Sequence, residues 1–153
     1  MTPRSFYRFA ALAEAVTWTL LLLGMFAKYV TKTTDLGVTV AGGLHGFVFL
    51  LFCVATVVVA VDQRWSFARL LFGIAAAIPP LATVPFERWA VRRGLVAERW
   101  RLRSEAPSTP SERVVGYAVS RPSVAIVVVG AGVIVVFGAL LALGPPTQVD
   151  AGG

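Results

Sequence analysis

One cysteine, one histidine and eight acidic residues are all that this 153-residue chain offers to most kinds of site chemistry. The single Cys53 excludes an intramolecular disulfide. The single His45 makes a zinc centre a poor fit, because zinc asks for three or four ligands and Cys53 lies two turns further along. Charged residues make up 14% of the chain, against roughly 25% for a typical soluble domain. The longest polar stretch, 87–121, leaves no room for a separate soluble catalytic domain, and no catalytic motif is present. The expectation is a protein that is not an enzyme and that carries no cofactor.

What the chain has instead is long apolar runs. Phe9 to Ala27 is broken only by Glu14, Val38 to Val61 contains His45, Leu70 to Phe86 ends against Glu87, and Pro122 to Leu143 has no ionisable side chain. Runs of about 17–25 apolar residues match the roughly 30 Å hydrocarbon core at 1.5 Å rise per residue. The predicted fold is therefore all-α: a polytopic transmembrane helical bundle with a three-helix core (spans about 6–27, 38–61 and 67–86) and a fourth transmembrane helix at 122–143. The first run follows Arg4 and Arg8 but is long, holds Glu14 and lacks a clear cleavage site, so it reads as a retained span.

The remainder divides by composition. Residues 87–121 read as a basic cytoplasmic loop, with an amphipathic interfacial helix over 87–103 and a Ser/Pro-rich linker over 104–111; residues 144–153 read as a disordered tail. Arg88, Arg92, Arg93 and Arg99 are expected to meet anionic lipid headgroups, which makes nucleic acid an unneeded explanation of the charge. If all four runs cross, the N-terminal end, the second loop and the tail hold four basic residues, and the first and third loops hold ten. Basic residues resist translocation, so both termini are predicted outside, in a bacterial plasma membrane suggested by the Ala/Val/Arg bias.

Four ionisable residues are candidate functional positions. Glu14 lies about 12 Å inside its span, where an ionised carboxylate is costly, and suits either a proton-titrating site or an interhelical lock. His45 is flanked by Gly42 and Gly46, a small-xxx-small face that would let a second helix approach closely. Four-crossing threading puts Lys28, His45 and Glu87 at one level, with a Lys28–Glu87 ion pair. Pro79, Pro80 and Pro85 should break the third span and free carbonyls near mid-membrane, to be met by neighbours such as Thr56 or Thr83.

The ordered set Arg8-Phe9, Ala13-Glu14, Lys28-Tyr29, Leu44-His45-Gly46-Phe47, Arg64-Trp65-Ser66 and Ile78-Pro79 through Pro85-Phe86-Glu87 resembles the small bacterial membrane proteins of domain of unknown function thirty-eight seventeen, also called YdzA-like, over about residues 6–93. The resemblance implies a three-helix membrane domain of undetermined activity, with Glu14, Lys28, His45, Pro79 and Glu87 in one arrangement. Two departures stand out: Ala15 follows the acid where glycine is frequent, and Pro80 stands where an apolar residue such as Phe is usual. The leading functional expectation is an accessory or assembly partner with polar interhelical locks, as a homo-oligomer or with another membrane protein. The alternative is a small oligomeric transporter or proton-coupled conduit using Glu14 and His45.

Overall fold

The computed structural model describes residues 1–143, so the expected tail at 144–153 lies outside the described residues. The described chain holds six α-helices and a short 3-10 turn: α1 Pro3–Tyr29, α2 Leu36–Asp62, α3 Phe67–Ala75, α4 Thr83–Arg92, the 3-10 turn Arg101–Arg103, α5 Pro110–Ser120 and α6 Pro122–Leu143. The all-α polytopic fold is what the structure has. Three helices, α1, α2 and α6, are long and apolar enough to cross a membrane.

Thr2 starts α1: its hydroxyl accepts from the Ser5 amide at 3.1 Å and Pro3 occupies the first helical turn. The buried stripe of α1, namely Pro3, Tyr7, Ala11, Glu14, Thr17 and Gly24, recurs every three to four residues as far as Thr17 and again two turns on, along one face. A short turn returns the chain as α2, antiparallel to α1. The two backbones come close where Gly24 meets Gly37: a methyl group on Gly24 would stand 2.7 Å from the Gly37 carbonyl carbon. At Gly42 a methyl would meet only the Leu21 side chain at 3.7 Å, whereas at Gly46 a second helix does come close, since a methyl there would stand 3.1 Å from the Phe137 ring of α6.

The third apolar run is not one continuous helix and turns back on itself. Pro79 would clash with the carbonyl of Ala75, and α3 ends at Ala75. Turns close from the Ile78 amide to the Ala75 carbonyl (3.1 Å) and from the Ala82 amide to the Pro79 carbonyl (3.2 Å), with Leu81 in the left-handed region at φ 63°. The chain then reverses, and α4 runs back beside the N-terminal half of α1. Ala77 lies against Trp18, Thr83 against Ala11 and Glu14, and Glu98 against Arg4; the Trp100 indole reaches the Met1 carbonyl at 2.9 Å. The Trp65 indole donates to the Leu95 carbonyl at 2.7 Å, so the two ends of the segment 66–95 lie together. Residues 67–92 are thus a helical hairpin whose tip reaches the level of Trp18, about 22 Å along α1 from Pro3. Pro85 causes no kink, because it sits in the first turn of α4, where amides have no partner within the helix.

The expected interfacial helix over 87–103 stops at Arg92. Gly94, at φ 68°, closes a Schellman turn in which the Leu95 amide donates to the Ala90 carbonyl at 2.9 Å. Beyond it Val96, Trp100 and Leu102 are buried against the bundle end. The Ser/Pro-rich stretch is likewise held. Thr109 caps α5 by accepting from the Glu112 amide, and α5 packs on α2. Phe137 of α6 meets Phe47 of α2, their ring centroids 6.1 Å apart, and most of the rest of α6 is exposed.

Candidate functional site

A chain of polar contacts runs through the apolar interior where α1, α2 and the hairpin meet. Tyr7, Glu14, Thr17 and Trp18 lie along one side of α1 at helical spacing. The Tyr7 hydroxyl is 3.2 Å from that of Thr56 on α2, which itself donates to the Phe52 carbonyl. The fully buried Glu14 accepts through Oε2 from the Thr83 hydroxyl at 2.7 Å, while its Oε1 is buried with no partner. Thr83 is the first residue of α4, brought there by the reversal at Pro79–Leu81.

One helical turn on, Thr17 Oγ1 donates to the Glu14 carbonyl at 2.9 Å and lies 3.2 Å from His45 Nδ1. The His45 ring packs on Trp18 at a centroid distance of 4.4 Å. The Trp18 indole donates to the Ala77 carbonyl at 3.2 Å. Trp18, rather than Thr56 or Thr83, therefore answers a carbonyl that the proline-broken segment leaves free. Pro79 and Pro80 have no amide hydrogen, which removes two donors from a tip whose Ile78 is 67% exposed.

The expected grouping of four ionisable residues divides. Glu14 and His45 are joined through Thr17 and Trp18. Lys28 pairs with Asp35 at 3.5 Å at the far end of α1, and Glu87 lies at the opposite end beside Arg4, Arg8 and Arg88, so no Lys28–Glu87 pair forms. The reason is the hairpin: reversal carries Glu87 back to the N-terminal end of α1. Arg88 and Arg92 line one groove with Arg4 and Arg8, whereas Arg93 and Arg99 are exposed outside it. Among the described residues no three His, Cys, Asp or Glu side chains gather as a metal site.

A second polar centre pins the loop to the end of α2. The buried Asp62 carboxylate accepts from the backbone amides of Arg101 (3.2 Å) and Leu102 (3.0 Å). Arg101 donates to the Asp62 carbonyl at 2.6 Å and to Glu112 Oε1 at 2.6 Å. The Ser108 amide and hydroxyl donate to Glu112 Oε2 at 2.7 and 2.8 Å. Those Ser108 bonds, backbone first, then the Arg101 and Arg64 guanidiniums, hold the Glu112 carboxyl down at about 2. The Glu105 and Glu112 carboxylates push Arg101 above its ordinary value despite its burial. Sequence reasoning missed Asp62, Arg101 and Glu112. The signal for the last was Thr109-Pro110-Ser111-Glu112, a helix-start pattern that the surrounding Ser and Pro disguised as a linker.

Residues 4–92 match the family described as Domain of unknown function (DUF3817). The chain belongs to this family. The matched segment runs from the first turn of α1 to the last residue of α4, so the DUF3817 domain is the helix pair plus the hairpin. A Streptomyces coelicolor protein, named only as an inferred membrane protein, is 44% identical over 89 residues, which is 58% of this chain and 10% of that protein. The chain thus spans about a tenth of the length of the relative it matches. No solved structure matches.

Proposed function

We propose that this DUF3817 protein is a non-enzymatic module of the bacterial plasma membrane that assembles with another membrane protein, its re-entrant hairpin fixed by buried polar locks. The observation that carries this reading is the contact of Glu14 with Thr83, which ties the centre of α1 to the hairpin. Tyr7 with Thr56 and Thr17 with His45 join α1 to α2 in the same sense, and Trp18 with the Ala77 carbonyl joins it to the hairpin tip. Interhelical hydrogen bonds of this kind are a standard means of fixing helices in lipid. A relative in which a similar domain is 10% of a much longer chain supports a modular role.

The orientation belongs to the same proposal. With the hairpin re-entrant, all twelve arginines stand at the end of the bundle that holds Met1, Trp65 and Trp100, and Lys28 and Lys32 stand at the other. Twelve against two is a far stronger positive-inside bias than the four against ten of a four-crossing chain. The N-terminus is then cytoplasmic, and α6 runs outward, its C-terminal end at the lysine end.

Native mass spectrometry of the protein extracted in its own lipid patch tests assembly. A second polypeptide in fixed ratio is expected; a partner-free monomer removes the basis of the proposal. The second reading, a proton-coupled conduit, is favoured by the unpartnered Glu14 Oε1 and the adjoining Thr17–His45 contact. It requires pH-driven flux in liposomes that disappears in Glu14→Gln, and flux unchanged in that variant rules it out.

A further inference from the structure

Reversal of the hairpin sets two pairs of like charges against each other. Arg4 and Arg8 are one turn apart on α1, and Arg88 and Arg92 one turn apart on α4; together with Val91 and the buried Glu87 they line a single groove at the arginine end. Like charges at this spacing repel on each helix, and facing them across a groove adds to the repulsion. Arg4 pairs with Glu98 yet keeps its Nε buried without a partner. Among the described residues Arg8, Arg88 and Arg92 make no ion pair. Four guanidiniums against Glu87 and the Glu98 that pairs with Arg4 leave a net +2 at a groove built from two helices.

The surroundings specify which anion fits. Guanidinium forks suit phosphate oxygens bidentately. Pro85 and Trp89 line a second depression with Arg88 and Arg92, so an apolar wall adjoins the cationic one. Trp65, Trp89 and Trp100 all belong to this end, the level at which indoles mark a membrane interface. A free inorganic phosphate would use the arginines and leave the apolar wall idle. A phospholipid uses both, and one with two phosphates matches the excess charge.

We propose that Arg4, Arg8, Arg88 and Arg92 form a site for the headgroup of an anionic phospholipid with two phosphates, of the cardiolipin type, with its glycerol and acyl portions against Pro85 and Trp89. Glu87 at the floor limits the affinity by repelling the phosphates. The site belongs to the DUF3817 domain itself, since all four arginines fall within residues 4–92.

The full chain in nanodiscs of phosphatidylcholine doped with either cardiolipin or phosphatidylglycerol, released into a mass spectrometer, tests this. Cardiolipin is expected to stay bound in preference to both other lipids. Each groove arginine removed should weaken retention about fivefold, so Arg8→Gln with Arg92→Gln should cost about 25-fold. Arg69→Gln with Arg113→Gln, an equal loss of charge at exposed positions outside the groove, should leave retention unchanged. Glu87→Gln should raise it, an outcome that a merely damaged fold cannot produce. Equal loss in both double variants, equal retention of phosphatidylglycerol, or displacement of the lipid by millimolar inorganic phosphate would each overturn the assignment.

Discussion

Replacing Thr83 by Val keeps the side chain's shape and removes one hydroxyl, which makes it a direct probe of how the hairpin is held. That hydroxyl is completely buried and has a single proton, facing Glu14 Oε2 at 2.7 Å and the Ala11 carbonyl at 3.2 Å. Glu14 Oε1 already lacks a partner, so the variant leaves both carboxyl oxygens without a donor. A buried acceptor stripped of its donor costs about 1–3 kcal/mol, whereas interhelical bonds in lipid average about 0.6 and reach about 1.7 kcal/mol. The expected loss is therefore about 1–2 kcal/mol. Reversible unfolding in lipid bicelles reads it, within a double-mutant cycle that pairs Thr83→Val with Glu14→Ala. Glu14→Gln should be nearly neutral, because its amide oxygen can still accept from Thr83. A cycle in which the two losses simply add, with no coupling, would show that the carboxyl and hydroxyl do not hold each other and would remove the lock from the account.

Three further outcomes follow from particular contacts. Gly24→Ala should destabilise by about 1–3 kcal/mol, since its methyl would press on the Gly37 backbone, while Gly42→Ala should be neutral or slightly stabilising; the same unfolding assay separates them. His45→Phe should keep the packing on Trp18 and lose only the Thr17 contact, costing about 1 kcal/mol, whereas His45→Ala should cost more than twice that. Glu112 supplies a pH dependence: its folded-state value is depressed from 4.5 to about 2, so its contribution is fully present above pH 4.5 and fades as the pH falls towards 2. Thermal stability of the wild type should accordingly exceed that of Glu112→Gln at neutral pH, and the gap should close across that window; a gap that widened on acidification would contradict the Ser108 and arginine contacts.

The long apolar helices are legible because little competes with them. α1, α2 and α6 are apolar lengths with few ionisable residues, and Glu14 announces its burial by standing alone among apolar residues. The third run was misleading because apolar length fits a crossing and a hairpin equally well, and direction leaves no trace in composition. Its clues were the Pro79-Pro80 pair at its centre and the arginines on both flanks, Arg64 and Arg69 before it and Arg88 after, which a one-sided placement explains and a crossing does not. Lys28 and Glu87 share a level only in a crossing, for the same reason. Gly94 is the stop signal that ends the helix within 87–103. Thr83 was foreseen as a polar neighbour of the break, but its true partner, Glu14, sits 69 residues away and could come only from the reversal.

The reversal is the claim on which the lock, the arginine groove and the proposed orientation all depend, and side-specific labelling tests it most directly. In a Cys53→Ala background, single cysteines at Ser5, Thr33 and Ser104 report the N-terminal end, the α1–α2 turn and the loop beyond the hairpin. A membrane-impermeant maleimide applied to intact cells should label Thr33→Cys and spare both Ser5→Cys and Ser104→Cys, which should react together once the membrane is opened. Labelling of Ser5→Cys and Ser104→Cys from opposite faces would mean that the third run crosses after all.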